Sequence, residues 1–294
     1  MLSPNIKSLI LDMDGVLWKD SSPIGDLPAI FARIRERGLK VAFATNNGTL
    51  TPEQYVQRLA SFGVTAQSWQ VVTSSLAAAE LLARRVGPIP PIPPSLPGMG
   101  GAGGSIPPIP LSLPGMGGAG GLGQVFAIGE EGVMKALRDK GFALPPVEEA
   151  EKAQAVVLGI DRQINYNKMR EATLLVRRGI PFYVTNPDKT FPTPRGEIPG
   201  AGAWASVIVT ATGVEPIYAG KPAPALLELA RERLGTAKEE TLVVGDRLET
   251  DIAGGQAAGC PVALVLSGVS TREAGEAWRP EIEVMAEDLG ALVE

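Results

Sequence analysis

The sequence predicts an α/β protein built on parallel sheets, in two domains. Apolar runs of strand length alternate with amphipathic stretches of helical length along most of the 294 residues, the pattern of βαβ units. Several runs are apolar without a break, as strands covered on both faces are. The length, at ~150 residues per domain, suggests two domains and ample material for a core.

In chain order, Ile6 to Leu11 is a strand ending in SLIL, and Pro28 to Arg37 a helix with Ile30, Phe31 and Ile34 on one side. The strand Lys40 to Ala44 follows. The helix Pro52 to Phe62 starts on Thr51-Pro52, a capping pair. The short strand Val71 to Thr73 leads into an Ala/Leu-rich helix, Leu76 to Arg85. The strands Val125 to Ile128, Ala155 to Gly159, Phe182 to Val184 and Ile217 to Ala219 alternate with the helices Glu131 to Lys140, Lys168 to Arg178 and Ala201 to Thr210. The helix Pro222 to Leu234, the strand Thr241 to Val244, the helix Thr250 to Ala258 and the strand Val262 to Leu266 complete the series.

One stretch stands outside this alternation. Residues 87 to 124 hold 10 of the 26 prolines and 12 of the 35 glycines, and within them IPPIPPSLPGMGGAGGS (89 to 105) and IPPIPLSLPGMGGAGGL (106 to 122) agree at 15 of 17 positions. The uncharged run is long enough for a membrane span, but prolines remove amide donors and glycines loosen the chain, so no helix there can satisfy its backbone in lipid. Each copy also contains G-x-G-x-x-G. A dinucleotide loop must follow a strand and open a helix, and here prolines precede the glycines and more glycine follows. The stretch reads as a polyproline-II and glycine-rich surface insertion that the fold can dispense with, because loop closure costs grow only logarithmically with length.

Composition narrows the chemistry. There is no histidine, which removes Ser-His-Asp and Cys-His catalysis and the HExxH zinc helix. The lone Cys260 cannot form an intrachain disulfide, which fits a cytoplasmic protein. A net charge of −5 gives no electrostatic reason to expect nucleic acid or an anionic membrane as partner. The amino end has no basic run ahead of an apolar stretch, so no targeting signal is read there.

In parallel α/β sheets, ligands bind beyond the carboxyl ends of strands. Four polar clusters occupy such ends: Asp12-Met-Asp14-Gly15, Thr45-Asn46-Asn47-Gly48, Gly220-Lys221-Pro222, and Gly245-Asp246-Arg247-Leu248-Glu249-Thr250-Asp251. Each alone is ordinary turn or cap chemistry, and the combination argues for a site. Were Asp12, Asp14, Asp246 and Asp251 to meet beside Lys221, their charges could not all persist unaided. A hard divalent cation, most simply Mg²⁺, is the remedy an all-oxygen donor set selects. An ionised carboxylate is also a nucleophile towards phosphorus, and Asp12 is the candidate. Asp14, two residues along, points to the same side and can protonate a leaving alkoxide, then deprotonate water. Gly15 lets the backbone approach a ligand. Thr45 and the amides of Asn46 and Asn47 can donate to phosphoryl oxygens, with Lys221 offsetting charge.

The segments LDMDGVLW, FATNNG, GKP and VGDRLETDI resemble the four motifs of the haloacid dehalogenase-like phosphatases, closest to the class IIA, NagD-like (4-nitrophenylphosphatase) subgroup. VFAIGEEGV, TNPDKTFPT, PGAGAW and DIAGGQAAGCPVALVLSGVS extend that resemblance over nearly the whole chain, the repeat excepted. It implies a Rossmann-like core of residues 1–81 and 214–294 with a smaller α/β cap, 82–213, inserted between. It also implies Asp12 as nucleophile, Asp14 as general acid and base, Thr45 and Lys221 on the phosphate, and Mg²⁺ held by Asp12, the Asp14 carbonyl and Asp246, with Asp251 near it. Caps of this kind choose the substrate and can mediate homodimers. Asp161, Asn186 and Asp188 sit at cap strand ends that could face the core, whereas Arg195 reads as solvated and Trp18 as packing.

The activity this implies is hydrolysis of small phosphomonoesters such as sugar phosphates, nucleotides, phosphoglycolate or pyridoxal phosphate. A phosphotransferase or mutase using the same aspartyl phosphate is the alternative. A receiver-like phospho-acceptor or scaffold fits less well, because Asp14 and a cap-sized interval have no use in a receiver.

Overall fold

The computed structural model describes residues 2–85, 122–193 and 195–294. The tandem repeat, Leu122 excepted, and both glycine-rich G-x-G-x-x-G stretches lie outside the described residues.

From the amino end, β1 (Ser8–Leu11) runs into a hairpin of β2 (Trp18–Lys19) and β3 (Ser22–Pro23), then α1 (Leu27–Glu36), β4 (Lys40–Thr45), α2 (Pro52–Ser61), β5 (Val71–Thr73) and α3 (Ser74–Arg85). The second stretch comprises β6 (Val125–Ile128), α4 (Glu131–Asp139), β7 (Ala155–Leu158), α5 (Tyr166–Arg177), β8 (Phe182–Val184), the hairpin β9 (Thr190–Thr193) and β10 (Gly196–Pro199), α6 (Ala201–Thr212) and β11 (Ile217–Tyr218). The chain then forms α7 (Ala225–Leu234), β12 (Thr241–Gly245), a π-helical turn (Leu248–Ile252) continuing into α8 (Ala253–Ala257), β13 (Val262–Val265), α9 (Arg272–Ala277), β14 (Val284–Ala286) and α10 (Leu289–Leu292).

Six strands form one parallel sheet in the order β14-β13-β12-β1-β4-β5. Successive strands move one way from β1 through β4 and the other way from β12 through β14, so the order reverses between β1 and β12. That reversal is where an open α/β sheet leaves a crevice for a ligand. The buried SLIL, VAFAT and TLVVG runs supply the continuous apolar faces that helices cover from both sides. A second parallel sheet, β11-β8-β7-β6, carries α5 and α6 over a separate apolar cluster that includes Phe126, Val156, Met169, Leu175, Phe182 and Ile208.

Helix α3 ties the two parts together. Its Ala77, Ala78 and Leu82 belong to one buried cluster with Val72 and Leu226 of the larger domain and with Val133, Leu137 and Tyr183 of the smaller. At the start of α4, the Gly132 amide donates to Thr49 O (3.1 Å). A Cβ at 132 would stand 2.2 Å from Gly48 O, so only glycine permits this approach of the smaller domain to the Thr45 loop.

Several boundaries differ from expectation. The strand at Ile217–Tyr218 pairs with β8, so the cap sheet extends past residue 213 and the chain returns to the core only after Tyr218. Helix α7 starts at Ala225, because prolines at 222 and 224 cannot supply helical amide donors. The Thr250 to Ala258 helix begins earlier, as the π-helical turn from Leu248. Two hairpins, β14 and two short helices, α9 and α10, were not expected. Strands of two to four residues such as the exposed GEIP carry too few positions for a period to emerge.

Candidate active site

Register brings three of the four motifs to one edge, and a loop brings the fourth. In β1, Leu11 pairs with Val244 of β12 and with Phe43 of β4, so Asp12, Asp246 and Thr45 leave three adjacent strands at the same carboxyl end. Lys221 enters from the loop that follows β11 and is almost wholly buried. Its Nζ donates to Asp12 Oδ1 (2.5 Å) and Ala44 O (3.1 Å) and pairs with Asp251 Oδ1 (2.6 Å). The other oxygen of Asp251, Oδ2, accepts from the amides of Asp246 (3.2 Å) and Arg247 (3.0 Å), folding the acidic loop around itself.

Electrostatics at this edge are unbalanced. Oxygens of Asp12, Asp246 and Asp251 lie within 4.8 Å of one another, with a single ammonium between them. Burial raises the Asp12 carboxyl well above its ordinary range, the Lys221 ammonium pulls the other way, and Asp251 and Asp246 add to the rise. Burial, and then the Asp251 carboxylate, push Asp246 up to about 6. Lys221 is pulled down by burial, but Asp12 and Asp251 outweigh that and hold it above the ordinary lysine value. Three close carboxylates sharing one ammonium leave a deficit of positive charge, and every donor atom is oxygen. A hard divalent cation therefore fits this set.

The backbone at Gly15 is shaped by Asp246. Gly15 has φ +89°, and a Cβ there would stand 2.5 Å from Asp246 Cγ. Its carbonyl accepts from Ser267 Oγ (2.7 Å). Gly15→Ala should therefore cost about 1 to 3 kcal/mol through the left-handed backbone and the displaced carboxylate. Urea unfolding checks the first effect, and loss of cation-induced thermal stabilisation checks the second. A variant with wild-type stability and cation response would contradict this role.

Every core residue singled out in the sequence borders one cleft of about 450 Å³: Asp12, Asp14, Gly15, Thr45, Asn46, Asn47, Lys221, Asp246 and Asp251. The amide of Asn47 is already used, donating to Thr45 Oγ1 (3.0 Å), so it is not the free donor that the sequence suggested. Asn46 instead bridges the domains. Its Nδ2 donates to Lys221 O (2.9 Å) and to Asp188 Oδ2 (3.2 Å), while Asn186 Nδ2 donates to Asn46 O (2.7 Å). Asn186 and Asp188 thus face the core from the Asn-Pro-Asp turn after β8. Burial raises Asp188, and the Asn46 bond partly offsets it.

Asp161 is not brought to the cleft. Its carboxylate caps the following turn, accepting from Gln163 N (2.8 Å), and pairs with Lys168 Nζ (2.7 Å) at the start of α5. Its neighbour Ile160 borders the cleft instead. Arg195 is exposed, as expected. Trp18 packs, fully buried, against Phe62 with ring centroids 5.6 Å apart, and its Nε1 also donates to Asp14 Oδ1 (2.8 Å).

Sequence reasoning missed Arg58 and Phe191 and gave Arg247 no role, and all three also border the cleft. Arg247 sits inside the GDRLETD segment and was signalled by it. Arg58 lies on α2, and Phe191 on the unexpected hairpin β9–β10, where no motif marked them. Among the described residues, no helix is long and apolar enough to cross a membrane.

Comparison with known proteins agrees with this geometry. A family model described as haloacid dehalogenase-like hydrolase matches residues 9–143, and one described as HAD-hydrolase-like matches residues 218–292. The chain is 34% identical over 267 residues to the 5′-nucleotidase YutF of Bacillus subtilis, covering 91% of this chain and 90% of that protein. Among solved structures, p-nitrophenyl phosphatase from Archaeoglobus fulgidus is 30% identical with a TM-score of 0.80, covering 98% of each chain. Glycerol phosphate phosphatase from Mycobacterium tuberculosis, in complex with magnesium, is 30% identical with a TM-score of 0.81, covering 99% of this chain and 78% of that one.

Proposed function

The chain belongs to the haloacid dehalogenase-like hydrolases, in their NagD-like, 4-nitrophenylphosphatase branch, and from that premise we propose that it is a Mg²⁺-dependent phosphatase of small phosphomonoesters working through a phosphoryl group on Asp12. The observation that carries this reading is the junction of Asp12, Lys221, Asp246 and Asp251 at the sheet's reversal point, with Asp14 exposed to the cleft beside them.

Asp12 attacks phosphorus with its carboxylate while the ester P–O bond breaks, and Asp14 gives its proton to the departing oxygen. Asp14, now a carboxylate, then takes a proton from water as that water attacks phosphorus and frees Asp12. Lys221, fixed to Asp12 Oδ1, orients the nucleophile and offsets charge on the phosphoryl oxygens, assisted by the Thr45 hydroxyl. Asp12, Asp246 and the Asp14 carbonyl, with Asp251 alongside, would hold Mg²⁺, which would supply the further positive charge that phosphoryl transfer needs. Asn186 and Asp188 place the cap over the phosphate end of the cleft, and Phe191 and Ile160 offer the leaving group an apolar wall. Small esters suit a cleft of about 450 Å³. A buried lone Cys260 fits a reducing cytoplasm.

The test is phosphate release from 4-nitrophenyl phosphate and a panel of sugar phosphates, nucleoside monophosphates and glycerol phosphate, with Mg²⁺ and with EDTA. Release in Mg²⁺ that EDTA abolishes is expected. Undiminished release in EDTA would contradict the metal requirement, and no release from any ester would contradict the phosphatase reading.

A further inference from the structure

We propose that Trp18 is a positioning residue for the general acid: its indole N–H fixes the side chain of Asp14 and assigns the transferable proton to Asp14 Oδ2. The inference rests on the reading of Asp14 as the acid and base.

The β2–β3 hairpin builds this arrangement. Asp14 and Trp18 form an isolated bridge that closes the loop after β1, with Gly15 N donating to Trp18 O (2.8 Å). Between the hairpin's two short strands, Asp20 takes φ 54°, a conformation Asp tolerates better than most residues. Trp18 is 0% exposed, and three features hold its ring. Phe62 stacks on it, the Arg58 guanidinium lies 4.3 Å from the ring centroid, and Arg58 is anchored by donating from Nη2 to Asp20 O (2.5 Å). A buried indole N–H needs an acceptor, and Asp14 Oδ1 provides it at 2.8 Å.

The consequence follows from donor chemistry. An indole nitrogen donates and never accepts, and in a protonated carboxyl the carbonyl oxygen is a better acceptor than the hydroxyl oxygen, so the bond to Asp14 Oδ1 favours keeping Oδ1 unprotonated. The proton then resides on Oδ2. Asp14 is exposed to the cleft, and a free exposed carboxyl samples several rotamers, each presenting its proton differently. The indole bond selects one. In the first step the Oδ2 proton passes to the ester oxygen, which keeps the electron pair of the breaking P–O bond. In the second, Oδ2 recovers a proton from the attacking water. A cation over the ring face also draws density from the indole and strengthens the N–H as a donor.

The readout is the dependence on leaving group. 4-Nitrophenolate departs without protonation, whereas an alkoxide needs the acid. Trp18→Phe keeps the ring and removes the donor. For glycerol phosphate the single-turnover rate of the first step, read as glycerol released, should fall about 10- to 100-fold, a part of the ~10²- to 10⁴-fold that general acid catalysis contributes in full. For 4-nitrophenyl phosphate the burst rate of nitrophenolate, which reports the first step alone, should change less than about threefold. An equal fall on both substrates would mean that Trp18 acts only through packing, and no fall on either would mean the bond is idle; each overturns the proposal. Should Trp18→Phe unfold, incorporation of benzothienylalanine at position 18, which replaces the N–H by sulfur in the same ring shape, gives the same test. Asp14→Asn serves as the reference. If its first step shows no selective slowing on glycerol phosphate, the reading of Asp14 fails, a result distinct from failure of Trp18 alone.

Discussion

Asp12→Asn should reduce turnover by about 10⁴-fold or more without unfolding the protein. The substitution preserves shape and removes the attacking carboxylate, so the first covalent step has no nucleophile. Stability should hold or rise. Burial already disfavours the Asp12 charge, and Lys221 keeps Asp251 as its partner at 2.6 Å. Initial rates with 4-nitrophenyl phosphate and a urea titration together check this. A folded variant with more than about 1% of wild-type kcat would remove Asp12 from the nucleophile's role.

Asp246→Asn should separate cation binding from folding. In the presence of Mg²⁺ at about 100 times its dissociation constant, wild type should gain close to 2.7 kcal/mol, and the variant most of that less. Stripped of divalent ions, the order reverses with pH. Asp246 is pushed up to about 6, against 3.8 ordinarily, so the folded state holds a proton that the unfolded state has lost between those values. The contribution of this group to stability is fully present below about pH 4 and is lost as pH rises through 6. An amide at this position carries no such dependence. In EDTA the variant should therefore match wild type near pH 4 and exceed it by about 1 to 3 kcal/mol at pH 7. Urea midpoints at both pH values, with and without Mg²⁺, measure this. Equal midpoints at pH 7 in EDTA would contradict the crowding of the three carboxylates.

The strands that carry chemistry were legible because they are short, apolar on both faces and followed at once by polar residues. SLIL, VAFA and TLVV each end where the sheet ends, and Val71–Thr73, Val125–Ile128 and Phe182–Val184 appear with the expected limits. Three of the four polar segments were legible for the same reason, since Asp12, Thr45 and Asp246 end adjacent strands of one sheet, whereas Lys221 follows β11 of the smaller sheet and reaches that edge from the returning loop. Asp161 shows where such reasoning stops. It follows a strand as the others do, yet a lysine seven residues on, Lys168, captures its carboxylate, and spacing along the chain does not reveal that competition. Arg58 and Phe191 reach the cleft from a helix and a hairpin whose positions only tertiary packing determines. The Trp18–Asp14 bond was hidden too, because a buried tryptophan beside a loop is expected to pack, and the direction of its N–H is a matter of side-chain geometry.

The central claim, a phosphoryl group carried on Asp12 and released by Asp14, is tested most directly by rapid mixing of Asp14→Asn with 4-nitrophenyl phosphate. That leaving group needs no acid, so the first step should proceed and the second stall for want of a base. The expected result is a burst of about one nitrophenolate per site, with the phosphoryl group found on Asp12 by peptide mass spectrometry after acid quench. Steady release at the wild-type rate, or phosphate on another residue, would contradict the account.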